Sequence, residues 1–134
     1  MKLKDIGEFG FIDRIRPETL PRPENVIKGI GDDCSVCRSA RDSVTLLTTD
    51  MLVEGVHFQL GRIPPYQLGR KSIAVNLSDI AAMGGTPKEA LVSIAIPDTV
   101  PLDTLDAFYE GMKSMAREFD VNLVGGDTTA SPLH

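Results

Sequence analysis

Four short acidic motifs concentrate the reactive chemistry of this 134-residue chain: Gly29-Ile30-Gly31-Asp32-Asp33, Thr48-Thr49-Asp50, Asn76-Leu77-Ser78-Asp79 and Gly125-Gly126-Asp127-Thr128. Three adjoin apolar, strand-like runs, and the Asn76–Asp79 motif interrupts a helical one. Carboxylates beside glycines and hydroxyls at element ends are hard oxygen donors, suited to a convergent site for Mg²⁺-type cations and the phosphates such cations hold.

Each motif also has a plainer reading. Gly-Asp is ordinary turn chemistry, so Asp32-Asp33 also reads as a solvated turn. Asp50 reads equally as a cap. Asp79 is the sharpest case, because a carboxylate midway along a buried helix is costly unless paired or metal-bound. Its plainer readings are a salt bridge to Arg70 or Lys71, or a place on an exposed stripe. Gly125-Gly126 reads as a flexible loop whose N–H groups could face a phosphate, although no Gly-Lys-Ser/Thr follows to make a Walker loop. His57, beside Phe58, defaults to a hydrogen-bonded structural residue. Tyr109 defaults to core packing.

The elements that must position these groups follow from periodicity and punctuation. A short helix is expected over residues 6–15, with Phe9, Ile12 and Ile15 on one side, ended by Arg16-Pro17. A linker then covers Pro17 to Pro23. Val26 to Ile30 reads as a strand with Ser35 to Arg38 as its hairpin partner, and Ser43 to Thr48 is a β-branched strand. Val53 to Phe58 reads as a looser extended segment. Pro65 to Met83 is helical, closed by Gly84-Gly85, and apolar enough to be largely buried. Ser72, Asn76 and Asp79 form its polar stripe. Ala90 to Ile96 is a strand, an amphipathic helix starts at Pro101, and Asn122 to Val124 is the last strand. The pattern predicts an α+β (α/β sandwich) fold, a mixed sheet flanked by helices.

Composition narrows the function classes. The chain is long enough for one domain with a core. A formal net charge of −5 without a Lys/Arg run argues against a nucleic-acid binder working by phosphate neutralisation. No apolar stretch approaches a bilayer span and the amino terminus does not read as a signal peptide, so no membrane role and a cytoplasmic location are expected. Cys34 and Cys37 lack the further ligands a zinc site needs, so a structural or incidental thiol pair is expected. Thr128 to His134 reads as the start of an element, and the chain is expected to be a single amino-terminal domain, 1–134, of a longer protein.

Taken in order, these residues resemble the amino-terminal domain of the thiamine-monophosphate kinase family, within the superfamily of aminoimidazole ribonucleotide synthetase. The matching stretches are Gly7–Phe9, Gly29–Cys34, Thr48–Phe58, Lys71–Gly84 and Val124–Thr129, covering nearly the whole chain. The resemblance implies ATP-dependent phosphorylation of thiamine monophosphate to thiamine diphosphate, with ATP as co-substrate and Mg²⁺ as cofactor. It implies Mg²⁺ ligation by Asp33, Thr48, Thr49, Asp50, Asp79 and Asp127. It implies ATP contacts from Tyr109, Gly126 and Asp127, and a thiamine monophosphate contact from His57. No ligand role is carried over to Asp32.

The resemblance further implies a homodimer whose amino-terminal sheets close into a β-barrel. A carboxy-terminal domain would supply the remaining contacts, so the chain alone is expected to be catalytically poor. The alternatives are a superfamily sibling using ATP on another substrate, or a non-catalytic dimerisation module.

Overall fold

The computed structural model describes residues 3–21, 23–39 and 42–131. Residue 22, inside the expected linker, and residues 132–134, at the end of the Thr128–His134 stretch, lie outside the described residues. The chain divides into two compact units, Met1–Thr48 and Thr49–His134. Among the described residues no helix is long and apolar enough to cross a membrane.

The first unit opens with helix α1, Leu3–Ile15. It stops where expected, because the proline after Arg16 disfavours helical geometry in the residue before it. A single 3-10 turn at Pro23–Asn25 leads into β1 (Val26–Lys28), β2 (Ser35–Arg38) and β3 (Val44–Leu47). These strands form an antiparallel sheet in the order β1-β2-β3. Ser35 lies opposite Leu47 and Arg38 opposite Val44, while the β1–β2 register slips between Val26 and Lys28. Among the described residues of this unit, Cys34, 2% exposed, is the buried apolar one.

The second unit contains α2 (Pro65–Ala82), β4 (Glu89–Ile96), α3 (Leu102–Glu118) and β5 (Asn122–Ala130). β4 and β5 pair in parallel with α3 as the crossover, the helical connection that parallel strands require. α2 ends as its glycines predict. Gly84 N–H donates to the Ala81 carbonyl at 3.0 Å and Gly85 N–H to the Ile80 carbonyl at 2.9 Å, a Schellman closure.

The core of this unit is Leu68, Ile73, Met112, Ala116 and Val121. It forms where α2 crosses α3, and two glycines set the distance between the helices. A Cβ on Gly69 would lie 1.9 Å from the Phe108 carbonyl oxygen, and one on Gly111 would lie 1.9 Å from that of Tyr66. Only residues without side chains permit such backbone approach. A polar latch flanks the crossing: the Tyr66 hydroxyl meets Ser114 Oγ at 2.8 Å, and Arg70 bonds Ser114 at 3.0 Å and Glu118 at 2.7 Å.

The α+β class is as expected, with the strands divided between one antiparallel and one parallel sheet. Three local expectations are corrected. Val53–Phe58 is a tight turn, with Val56 and His57 N–H both donating to the Val53 carbonyl. Gly125–Thr128 is not a loop but the middle of β5, because pairing with β4 continues to Ile96 opposite Ala130. Burial of α2 is confined to Leu68, Gly69 and Ile73, since only the face turned to α3 is covered that closely.

Candidate functional site

In the first unit, the turn after β1 separates its two acids. Asp32 accepts the Asp33 N–H on Oδ1 at 3.0 Å, and its Oδ2 pairs with Lys28 Nζ. Both oxygens of Asp32 are therefore engaged in shaping the turn. Asp33, exposed like Asp32, lies directly before buried Cys34. Neither Cys34 nor Cys37 forms a disulfide, and Cys37 lies within β2 opposite Thr45. Thr48 is half-buried just beyond β3.

In the second unit, Thr49 and Asp50 are exposed. Asp50 N–H donates to Asn76 Oδ1 at 3.1 Å, and Asn76 Nδ2 donates to the Ser72 carbonyl at 3.0 Å. The polar stripe of α2 thus reaches the Thr-Thr-Asp segment through Asn76. Asp79, one turn further along, is half-buried. The two cations considered as its partners have other contacts: Arg70 holds Glu118 and Ser114, and Lys71 donates to the His57 carbonyl at 2.8 Å.

Gly126 and Asp127 lie within β5 opposite Val92 and Ser93. A Cβ on Gly126, whose φ is 150°, would meet the Val92 carbonyl oxygen at 1.8 Å. Glycine is needed here for the two strands to approach, and the approach presents exposed Asp127 on the next residue. Tyr109 is half-buried on α3, edge-on to Phe108 with ring centroids 5.8 Å apart. His57 is exposed, its Nδ1 accepting the Val53 N–H at 2.9 Å.

Sequence reasoning missed the contacts that hold His57. The available signal was the four-residue spacing of Val53 and His57 across Gly55. Two groups on the helix pair have shifted pKa values. Hydrogen bonding to Glu118 raises the Arg70 pKa, and hydrogen bonding to Lys113 lowers that of Glu110. Among the described residues no three His, Cys, Asp or Glu side chains are gathered as a ready-made metal cage. Asp33, Thr49, Asp50 and Asp127 are exposed oxygen donors, the form in which a carboxylate can share a cation with a phosphate.

Residues 31–133 match the family model described as AIR synthase related protein, N-terminal domain. The chain is 41% identical to the thiamine-monophosphate kinase of Bacillus subtilis over 126 residues, which are 94% of the chain and 38% of that kinase. It is also 41% identical to that of Aquifex aeolicus over 131 residues, 98% of the chain and 40% of that kinase. Among solved structures, AaThiL complexed with AMPPCP and TMP superposes with a TM-score of 0.86 at 39% identity, covering 98% of this chain and 40% of that one. A structure of tt0281 from Thermus thermophilus superposes at 0.81 with 26% identity, covering 98% of this chain and 42% of that one. The chain spans about two-fifths of the length of the curated relatives it matches.

Proposed function

The chain belongs to the AIR synthase related protein N-terminal domain family, and from that premise we propose that it is the ATP- and Mg²⁺-binding amino-terminal domain of a thiamine-monophosphate kinase. The reaction moves the γ-phosphoryl group of ATP to the phosphate of thiamine monophosphate, giving thiamine diphosphate and ADP. The observation that carries this reading is the likeness over nearly the whole chain to a relative complexed with AMPPCP, an ATP analogue, and TMP.

The donor chemistry supports Mg²⁺. We assign as its ligands Asp33 and Thr48 of the first unit and Thr49, Asp50, Asp79 and Asp127 of the second. All offer hard oxygens, and Mg²⁺ commonly takes one or two carboxylates together with substrate phosphates, so a preformed cage is not required. Bound Mg²⁺ would supply charge neutralisation between two phosphate-bearing reactants.

The chain's own residues do the positioning. Asn76 holds the Asp50 backbone, and Asp32 shapes the turn that presents Asp33. Gly126 and Asp127 are assigned to ATP, with Tyr109 against the nucleotide. His57 is assigned to thiamine monophosphate. No side chain is asked to act as a strong base, because the acceptor oxygen already belongs to a phosphate.

We assign the further contacts to a carboxy-terminal domain, and propose a homodimer closed through a β-barrel of amino-terminal sheets. Exposed apolar side chains on β4 and β5, Leu91 at 73% and Val124 at 55%, support an association through this sheet. A cytoplasmic location agrees with these substrates. The test is an assay of the full-length protein containing this chain, with ATP, Mg²⁺ and thiamine monophosphate. Thiamine diphosphate should form, and Asp79→Asn or Asp127→Asn should suppress it. Failure to form it, with turnover of another superfamily substrate, would overturn the reading.

A further inference from the structure

The turn carrying His57 is more tightly determined than an exposed loop requires. Gly55 N–H donates to the Phe58 carbonyl at 2.8 Å, while Val56 and His57 N–H share the Val53 carbonyl at 3.1 and 2.8 Å. Glu54 forms a bridge with Phe58, and its Oε1 accepts the Leu60 N–H at 3.0 Å. Two contacts act on His57 itself. Val53 N–H donates to ring Nδ1 at 2.9 Å, and Lys71 Nζ, from α2, donates to the His57 carbonyl at 2.8 Å.

A backbone N–H can only donate, so the ring nitrogen it meets must be unprotonated. In a neutral imidazole the proton then resides on Nε2, and the exposed ring offers a donor there rather than an acceptor. Lys71 completes the arrangement from the helix. Its ammonium fixes the backbone of the very residue whose ring the turn orients.

We propose that Val53 and Lys71 are positioning residues that hold His57 as a fixed Nε2–H donor, selecting a phosphate-ester oxygen as its acceptor. This rests on the reading of His57 as a thiamine monophosphate contact and deepens it, naming the atom that makes the contact and the groups that set its proton. Lys71 acts through the His57 carbonyl. Arginine at position 71 can make the same donation, and methionine cannot.

The tautomer is directly readable by nitrogen-resolved NMR of the imidazole. The chain has two histidines, His57 and His134, so His134→Gln leaves one ring to observe. Under alkaline conditions that leave imidazole uncharged, the ring should be a single Nε2–H tautomer. Lys71→Met should give a mixture of tautomers, and Lys71→Arg should restore the single form. In the full-length protein, Lys71→Met should raise KM for thiamine monophosphate roughly tenfold, the loss expected from one charge-assisted hydrogen bond, with kcat little changed.

An Nδ1–H ring in the otherwise unaltered chain overturns the proposal without reliance on any Lys71 variant. So does a Lys71→Met protein with tautomer and KM both unchanged. A single Nε2–H form that is lost in Lys71→Met, in a protein that takes up no thiamine monophosphate, upholds the positioning device and overturns the substrate reading instead.

Discussion

The backbone N–H of Asp50 donates to the side-chain oxygen of Asn76 at 3.1 Å, tying a segment before α2 to the middle of that helix. The same amide of Asn76 bonds back to the Ser72 carbonyl, so its orientation is fixed at both ends. Asn76→Ala should cost about 1 kcal/mol of stability, the net worth of such a hydrogen bond, measured by urea unfolding. It should also weaken Mg²⁺-dependent nucleotide binding in calorimetry, because Asp50 loses its anchor. Unchanged binding would count against a ligand role for Asp50.

The neighbouring acids of the first unit should behave differently. Asp33→Asn should weaken Mg²⁺-dependent nucleotide binding by about tenfold or more, the scale seen when metal-site groups are removed. Asp32→Asn breaks a partly exposed ion pair with Lys28 and should alter stability by at most about 1 kcal/mol. Equal loss of binding in both variants would remove the distinction.

The helix crossing should tolerate no side chain. Gly69→Ala and Gly111→Ala should each cost about 3 kcal/mol or more, because the added carbon meets backbone that cannot rotate away. Gly61 has nothing within 4 Å of its would-be Cβ, so Gly61→Ala should stay within about 0.5 kcal/mol. Unfolding curves of the three variants make the comparison.

Gly126→Ala should disrupt the β4–β5 pairing at Val92 and reduce nucleotide binding together with stability. Proton-exchange protection across the two strands is the measurement. Preserved protection with lost binding would instead place the role of Gly126 in direct ligand contact.

Acid should remove one small electrostatic contribution. The hydrogen bond from Lys113, 3.0 Å away, followed by its charge, lowers the Glu110 pKa below its ordinary 4.5. A depressed folded-state value means stabilisation that is present above the unfolded value and lost as pH falls through the folded one. Melting temperature should therefore decline on acidification below the ordinary carboxylate range. Glu110→Gln should remove that part of the decline.

These expectations also show what a one-dimensional reading can hold. The strand at Val44–Leu47 and the ends of α2 were legible because β-branched runs, prolines and paired glycines act locally. The path of Gly125-Gly126 was not, since it is decided by β4, some thirty residues earlier in the chain. The turn at Val53–Phe58 was not legible, because it depends on the His57 ring nitrogen and on Lys71, 14 residues further along the chain in α2. The acids were found by type and spacing. That Asp32 is spent on its own turn, while Asp33 faces solvent, is a matter of side-chain direction that spacing does not carry.

The glycine crossing has a mechanical consequence for α2. With Gly69 set against the backbone of Phe108 and Gly111 against that of Tyr66, the crossing is a fulcrum about which any tilt of α2 would act as a lever. Lys71 and Ser72 sit close to the pivot, whereas Asp79 lies about 15 Å along the shaft, at 1.5 Å per residue. A tilt of about 10° at the crossing would barely move Lys71 yet swing Asp79 by roughly 2.5 Å, on that same rise. A substitution that merely loosens the fulcrum would thus leave the histidine turn in register while carrying the distal carboxylate out of reach.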